Sequence, residues 1–179
     1  TKKEKQLLQA YTLFSIYARM PMRNDVAGMG AINKSDFDKL SDDDMKDDNY
    51  LVVSKDKLSF VLNDYKTHGK YGTLEIDVKD KELEKILIHY IKVNGFGVLF
   101  KTSTEKPLTR IELSKTLLKY SELYMNKKIS TNLLRKIYLS GKYGQDGGLK
   151  EQLIDFEKDN VMMMHSKEVA LSAYVKKPR

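Results

Sequence analysis

The sequence contains no cysteine, which excludes disulfides and thiolate zinc sites alike. It has no apolar run long enough to span a membrane and no signal-peptide pattern at its N-terminus. A cytoplasmic or nuclear setting fits these absences. The Gly-x-x-x-x-Gly-Lys-Ser/Thr loop that cradles nucleotide phosphates is missing too, so nothing signals an ATP-driven step. Between Asp36 and Asp48 lie seven aspartates, but the glycine and glutamate that a calcium loop needs at its sixth and twelfth positions are not there. That segment reads as an exposed polar connection. Arginine is also scarce, five residues against 27 lysines. Lysine suffices for a solvated charge, whereas only arginine offers a planar fork that grips a phosphate with two parallel bonds. Each internal arginine, Arg19, Arg23, Arg110 and Arg135, therefore raises a functional question.

What is present describes one folded domain. With 179 residues, of which 41% are hydrophobic, the chain can bury a core of its own. The net charge of +7 is uneven: residues 1–100 hold 16 basic and 16 acidic side chains, and residues 101–179 hold 16 against 9. The whole positive excess thus lies in the C-terminal part, where a polyanion such as DNA would be drawn.

Periodicity predicts a helix over 3–20, with Leu7, Tyr11, Phe14 and Ala18 on one face and Pro21 as its limit. Residues 23–35 read as loop and turn. Alternation in Leu58-Phe60-Leu62 and in Leu74-Ile76-Val78, after a shorter run from Tyr50 to Ser54, predicts a small three-stranded antiparallel sheet. The turn between the two longer strands falls at Lys66–Lys70. Helical spacing returns from Leu83 to Ile91, then over 109–123 and 130–140, the last capped by Ser130 or Thr131. A glycine-rich break from Gly141 to Gly148 precedes expected helices at about 149–160 and after His165. The fold class is α+β, mainly helical, in a single domain over 1–179.

The last segment carries the chemistry: Met163-Met164-His165-Ser166, then Ala173-Tyr174-Val175, with nine residues from His165 to Tyr174. Upstream stands Asn132-Leu133-Leu134-Arg135. Together they resemble the closing motifs of the tyrosine recombinases, a His-x-x-Arg helix followed by Leu-Gly-His-Ser and a tyrosine. The match extends in order from about residue 7 to 177. Met22-Arg23-Asn24-Asp25 fits the first catalytic arginine and an acidic partner, with Arg19 as the rival, and Tyr65-Lys66-Thr67 fits the lysine of the sheet turn, with Lys70 as the rival. The stretches 21–30 and 94–110 resemble integrases of large DNA viruses and eukaryotic mobile elements. Asn132 departs from the family's histidine: an amide can donate to a phosphate oxygen but cannot carry a proton in acid–base work.

The resemblance implies the recombinase catalytic-domain fold and site-specific cutting and rejoining of duplex DNA through a covalent 3′-phosphotyrosine. Tyr174 is then the nucleophile. Arg23, Arg135, His165 and Asn132 hold the phosphate, and Lys66 is the acid. It implies neither metal nor cofactor, a homo-tetramer on DNA from a chain that is monomeric when free, no membrane, and an N-terminal DNA-clamping domain that this chain does not include. A type IB topoisomerase shares the chemistry, and a non-catalytic DNA-binding scaffold is the alternative of another class. His68 and His89 are expected in structural or solvent roles, and Met162–Met164 as core filler.

Overall fold

The computed structural model describes residues 1–143. Helix α1, Lys2–Arg19, opens on a capping box between Thr1 and Glu4. It stops at Met20, whose backbone is extended, as the residue before a proline prefers. Its buried face is not the one that periodicity suggests. Leu13, Ile16 and Tyr17 are fully buried beside the polar Gln9, Thr12 and Ser15, whereas Leu7, Tyr11 and Ala18 are exposed and Phe14 is half-buried.

The sheet has five strands and is mixed, in the order β4-β3-β2-β1-β5. Strands β2 (Tyr50–Val53), β3 (Leu58–Leu62) and β4 (Leu74–Asp77) pair antiparallel, with Leu51 opposite Phe60 and Phe60 opposite Ile76. This part agrees with the alternation in the sequence. The expectation of three antiparallel strands is nevertheless too small. Strand β1, Gly30–Asn33, lies parallel to β2, and β5, Gly97–Val98, closes the other edge of β1 antiparallel. Gly30-Ala31-Ile32-Asn33 shows no apolar alternation, since its two apolar residues are adjacent, and a two-residue strand has no room for any. Their backbone pairing exists only because neighbours supply it.

The acidic connection from β1 to β2 is exposed, as expected, but contains two single-turn helices, α2 (Lys34–Phe37) and α3 (Asp42–Met45). Asn33 and Ser41 cap them, and aspartates in their first turns meet the unpaired N–H groups there. Likewise the β3–β4 connection is no plain turn, since α4 (His68–Tyr71) forms within it. Helix α5, Lys81–Asn94, is capped by Asp80 and ends at Gly95, whose φ of 80° favours glycine. Helix α6, Arg110–Met125, opens on a Thr109–Glu112 capping box. Helix α7, Thr131–Tyr143, starts where Ser130 Oγ accepts from the Leu133 amide and runs through Gly141, the expected start of a break. The helices expected at 149–160 and after His165, and Met162–Met164, lie outside the described residues.

One hydrophobic cluster joins these layers: Leu13 and Tyr17 of α1, Leu51 and Phe60 of the sheet, Leu87 of α5 and Leu113 of α6 all belong to it. Helix α1 packs against α5, α6 and α7. Two buried amides stitch loops to this core. Gln9 exchanges bonds with the Lys101 backbone and accepts from the Tyr90 hydroxyl. Asn49 donates to the carbonyls of Asp25 (3.1 Å) and Asp64 (2.8 Å) and accepts from the amides of Asn63 and Asp64. Asn49→Ala should therefore lower stability by about 3 kcal/mol, since each backbone group left buried without a partner costs roughly 1–3 kcal/mol. Urea unfolding measures this, and a loss below about 1 kcal/mol would mean that water replaces the amide.

Candidate phosphate-binding site

Pro21 follows the C-cap Met20 and keeps α1 from continuing. Tyr17, fully buried, donates from its hydroxyl to the Arg23 carbonyl at 2.9 Å and so fixes the backbone at that residue. Arg23 caps the short 3-10 helix Asn24–Val26, whose Asp25 is 5% exposed. Asn24 donates to Ser114 Oγ of α6 at 2.8 Å, which ties this loop to the first turns of that helix. There Arg110 Nη2 meets Asp25 Oδ1 at 3.0 Å and Asp64 Oδ2 at 3.4 Å. Asp64 stands at the end of β3, two residues before the exposed Lys66. From the third side comes α7, with Asn132 and Arg135 one turn apart and Arg135 Nη1 3.4 Å from Asn132 Oδ1. Arg135 is 4% exposed, a charge held almost wholly out of bulk water.

These groups surround one cleft of about 430 Å³. Arg23, Lys66, Arg110 and Arg135 line it with four positive charges, against the single carboxylate of Asp25. Ser114, Ser130, Thr131 and Asn132 add uncharged polar groups to the wall. Arginine forks, hydroxyls and an amide in a concave, positive setting make a site for a phosphate or another oxyanion. Comparison with known protein families, curated proteins and solved structures returns no match.

The cleft gathers four of the six residues singled out in the sequence: Arg23, Lys66, Asn132 and Arg135. They come from segments more than 100 residues apart. His165 and Tyr174 lie outside the described residues. Of the rivals, Arg19 turns to Asp80, with Nε 3.2 Å from its carboxylate, and Lys70 lies over the Tyr71 ring; neither lines the cleft. His68 packs edge-on against Tyr65, and His89 is exposed. Arg110 is the residue that motif reading missed. Its signals in the sequence are the scarcity of arginine and its place at the end of the stretch 94–110.

Asp25 sets the electrostatics of the floor. Burial pushes its carboxyl above the usual carboxylate range, and the charges of Arg110, Arg23 and, last, Arg135 pull the other way. Its Oδ2 is buried with no hydrogen-bond partner among the described residues. Tyr17 is also pushed far up by burial, with the Asp25 charge adding to the shift. It therefore stays a neutral donor to Arg23. For a carboxyl raised in the folded state, the stabilising contribution is complete below the unfolded value near 4 and is lost as pH rises through the folded value. Asp25→Asn removes that dependence. Its melting temperature relative to the parent should rise between pH 4 and pH 7; an equal difference at both pH values would show that Asp25 ionises as freely as in the unfolded chain.

Proposed function

We propose that the protein is a DNA strand transferase of the tyrosine-recombinase type, cutting and rejoining duplex DNA through a covalent 3′-phosphotyrosine on Tyr174. The observation that carries this reading is the convergence on one cleft of Arg23, Lys66, Asn132 and Arg135, the four described residues that the sequence motifs single out. The excess of positive charge beyond residue 100 supports it as well.

The scissile phosphate sits between the two arginines, whose forks take up charge on the non-bridging oxygens as the pentacoordinate transition state forms. Asn132 donates its amide to one of those oxygens. The Tyr174 oxygen bonds to phosphorus as the bond from phosphorus to the 5′ oxygen breaks. The phenol gives up its proton to water, its attack helped by nearby positive charge, and the Lys66 ammonium donates a proton to the leaving 5′ oxygen. His165 serves as a further donor to the phosphate. Because the phosphotyrosine keeps the bond energy, a free 5′ hydroxyl reverses the step without a nucleotide cofactor. In this reading the protein works as a homo-tetramer on DNA.

The direct test is a duplex nicked so that the cleaved end diffuses away and the adduct persists. The parent protein should form a covalent adduct, whereas Tyr174→Phe should form none while binding duplex nearly as well. An adduct on the Phe variant names another nucleophile. Arg135→Lys should lower the cleavage rate by about a hundredfold or more, the usual cost of losing one preorganised donor from a transition-state cradle.

Arginines here supply the charge neutralisation that a divalent cation supplies in many nucleases. Cleavage should accordingly persist in excess EDTA. Loss of activity in chelator, restored by magnesium, would falsify the tyrosine mechanism.

A further inference from the structure

We infer that Arg110 is a positioning residue, a bridge that fixes the distance between the loop carrying Arg23 and the loop carrying Lys66. The inference rests on the strand-transferase reading above and adds a residue that no motif assigns. Two sets of contacts join the loops. Asn49 bonds the backbones of Asp25 and Asp64, each two residues from a cleft cation. Arg110 reaches the side chains of the same two residues from the first turn of α6. One guanidinium thus spans both loops, and the Asn24–Ser114 bond holds the base of that helix to the Arg23 loop.

The two arms differ in kind. Asp25 is buried, so its pairing with Arg110 is little screened, and truncating the arginine would leave a desolvated carboxylate without its nearest countercharge. Asp64 is 61% exposed, so that arm adds little to stability. Its effect is geometric: it restrains the residue two before Lys66. A proton donor has to lie within hydrogen-bond reach of the leaving oxygen, and a displacement of about 1 Å costs on the order of a hundredfold in rate. Both contacts run through the single nitrogen Nη2, which the planar guanidinium holds in a fixed direction, whereas a lysine ammonium turns freely on its stem.

If Arg110 acts through Lys66, its loss should matter only when the leaving group needs a proton. A duplex with sulfur in place of the bridging 5′ oxygen tests this, because a thiolate departs without protonation. On the ordinary nicked duplex, Arg110→Ala should slow adduct formation between about tenfold and a hundredfold. On the sulfur-bridged duplex it should approach the parent rate, as Lys66→Ala should. Asp64→Asn, an exposed change that leaves the buried pair intact, should show a smaller loss with the same rescue, and it covers the case in which Arg110→Ala does not fold. Arg110→Lys should fall between parent and Ala. An Arg110→Ala or Asp64→Asn defect of equal size on both substrates overturns the proposal, because the residue then does not act through Lys66. If Lys66→Ala is rescued by sulfur and both bridge variants cleave the ordinary duplex at the parent rate, the bridge is idle and the proposal fails alone. If the parent forms no adduct on either duplex, the strand-transferase reading itself fails and takes this inference with it.

Discussion

A single buried amide holds the cleft in register. Asn49 precedes β2 and has two donors and an acceptor oxygen, and it uses both ends on two other loops. Loop backbone that passes under a cleft cannot use the strand ladder and still needs partners for its polar groups. Asn49 supplies them for Asp25, Asn63 and Asp64 together. The position of Arg23 relative to Lys66 thus depends on a side chain anchored at the start of the central strand. A side chain of the same size without four hydrogen-bonding sites could fill the space but not fix the two loops.

The electrostatics of the cleft are a compromise. Arg135 is nearly buried and keeps its charge, because a guanidinium is not deprotonated in a protein. Asp25 lies in the same low-dielectric floor, where burial opposes its charge while three arginines favour it. The result is an excess of cations in which Arg135 has little access to water while Lys66 and Arg110 are exposed. Beside Arg135 the attraction to an incoming anion is strengthened, since neutralisation there is worth more than at an open surface. The same preorganisation gives up stability for binding, a common cost where charges converge.

How far the sequence reveals this depends on the kind of signal. Alternation made β3 and β4 legible, and β2 was read as a shorter run beside them. Strands β1 and β5 were not, since Gly30-Ala31-Ile32-Asn33 and Gly97-Val98 owe their structure to pairing rather than to pattern. In α1 the Leu7-Tyr11-Phe14 stripe is real, but it lines an apolar groove of about 560 Å³ against Tyr120, Tyr124 and Met125 of α6. The core takes the adjacent face, where Gln9, Thr12 and Ser15 dilute the apolar pattern. Periodicity reports that a stripe is apolar; the fold decides what the stripe meets. Among the cleft residues, Arg23, Lys66, Asn132 and Arg135 were readable because spaced motifs carry them. Arg110 has no such spacing, and only the fold brings it to Asp25 and Asp64.

The described tyrosines beside the cleft bear on where a nucleophile has to come from. Tyr17 is closest to the arginine loop, yet it is fully buried, its phenol is pushed far up by burial, and its hydroxyl is committed to the Arg23 carbonyl. Tyr65 precedes Lys66, but its hydroxyl donates to the Gly72 carbonyl, and burial again raises its phenol. An attacking phenol needs the opposite conditions: access to phosphorus, a route for its proton and a lowered barrier to ionisation. Tyr17 and Tyr65 are therefore parts of the scaffold, built to stay neutral. In the proposed reading the cleft holds the phosphate and protonates the leaving group, and the nucleophile comes from another segment. That division, a rigid cradle and a separately supplied tyrosine, is what the His165-to-Tyr174 segment is proposed to complete.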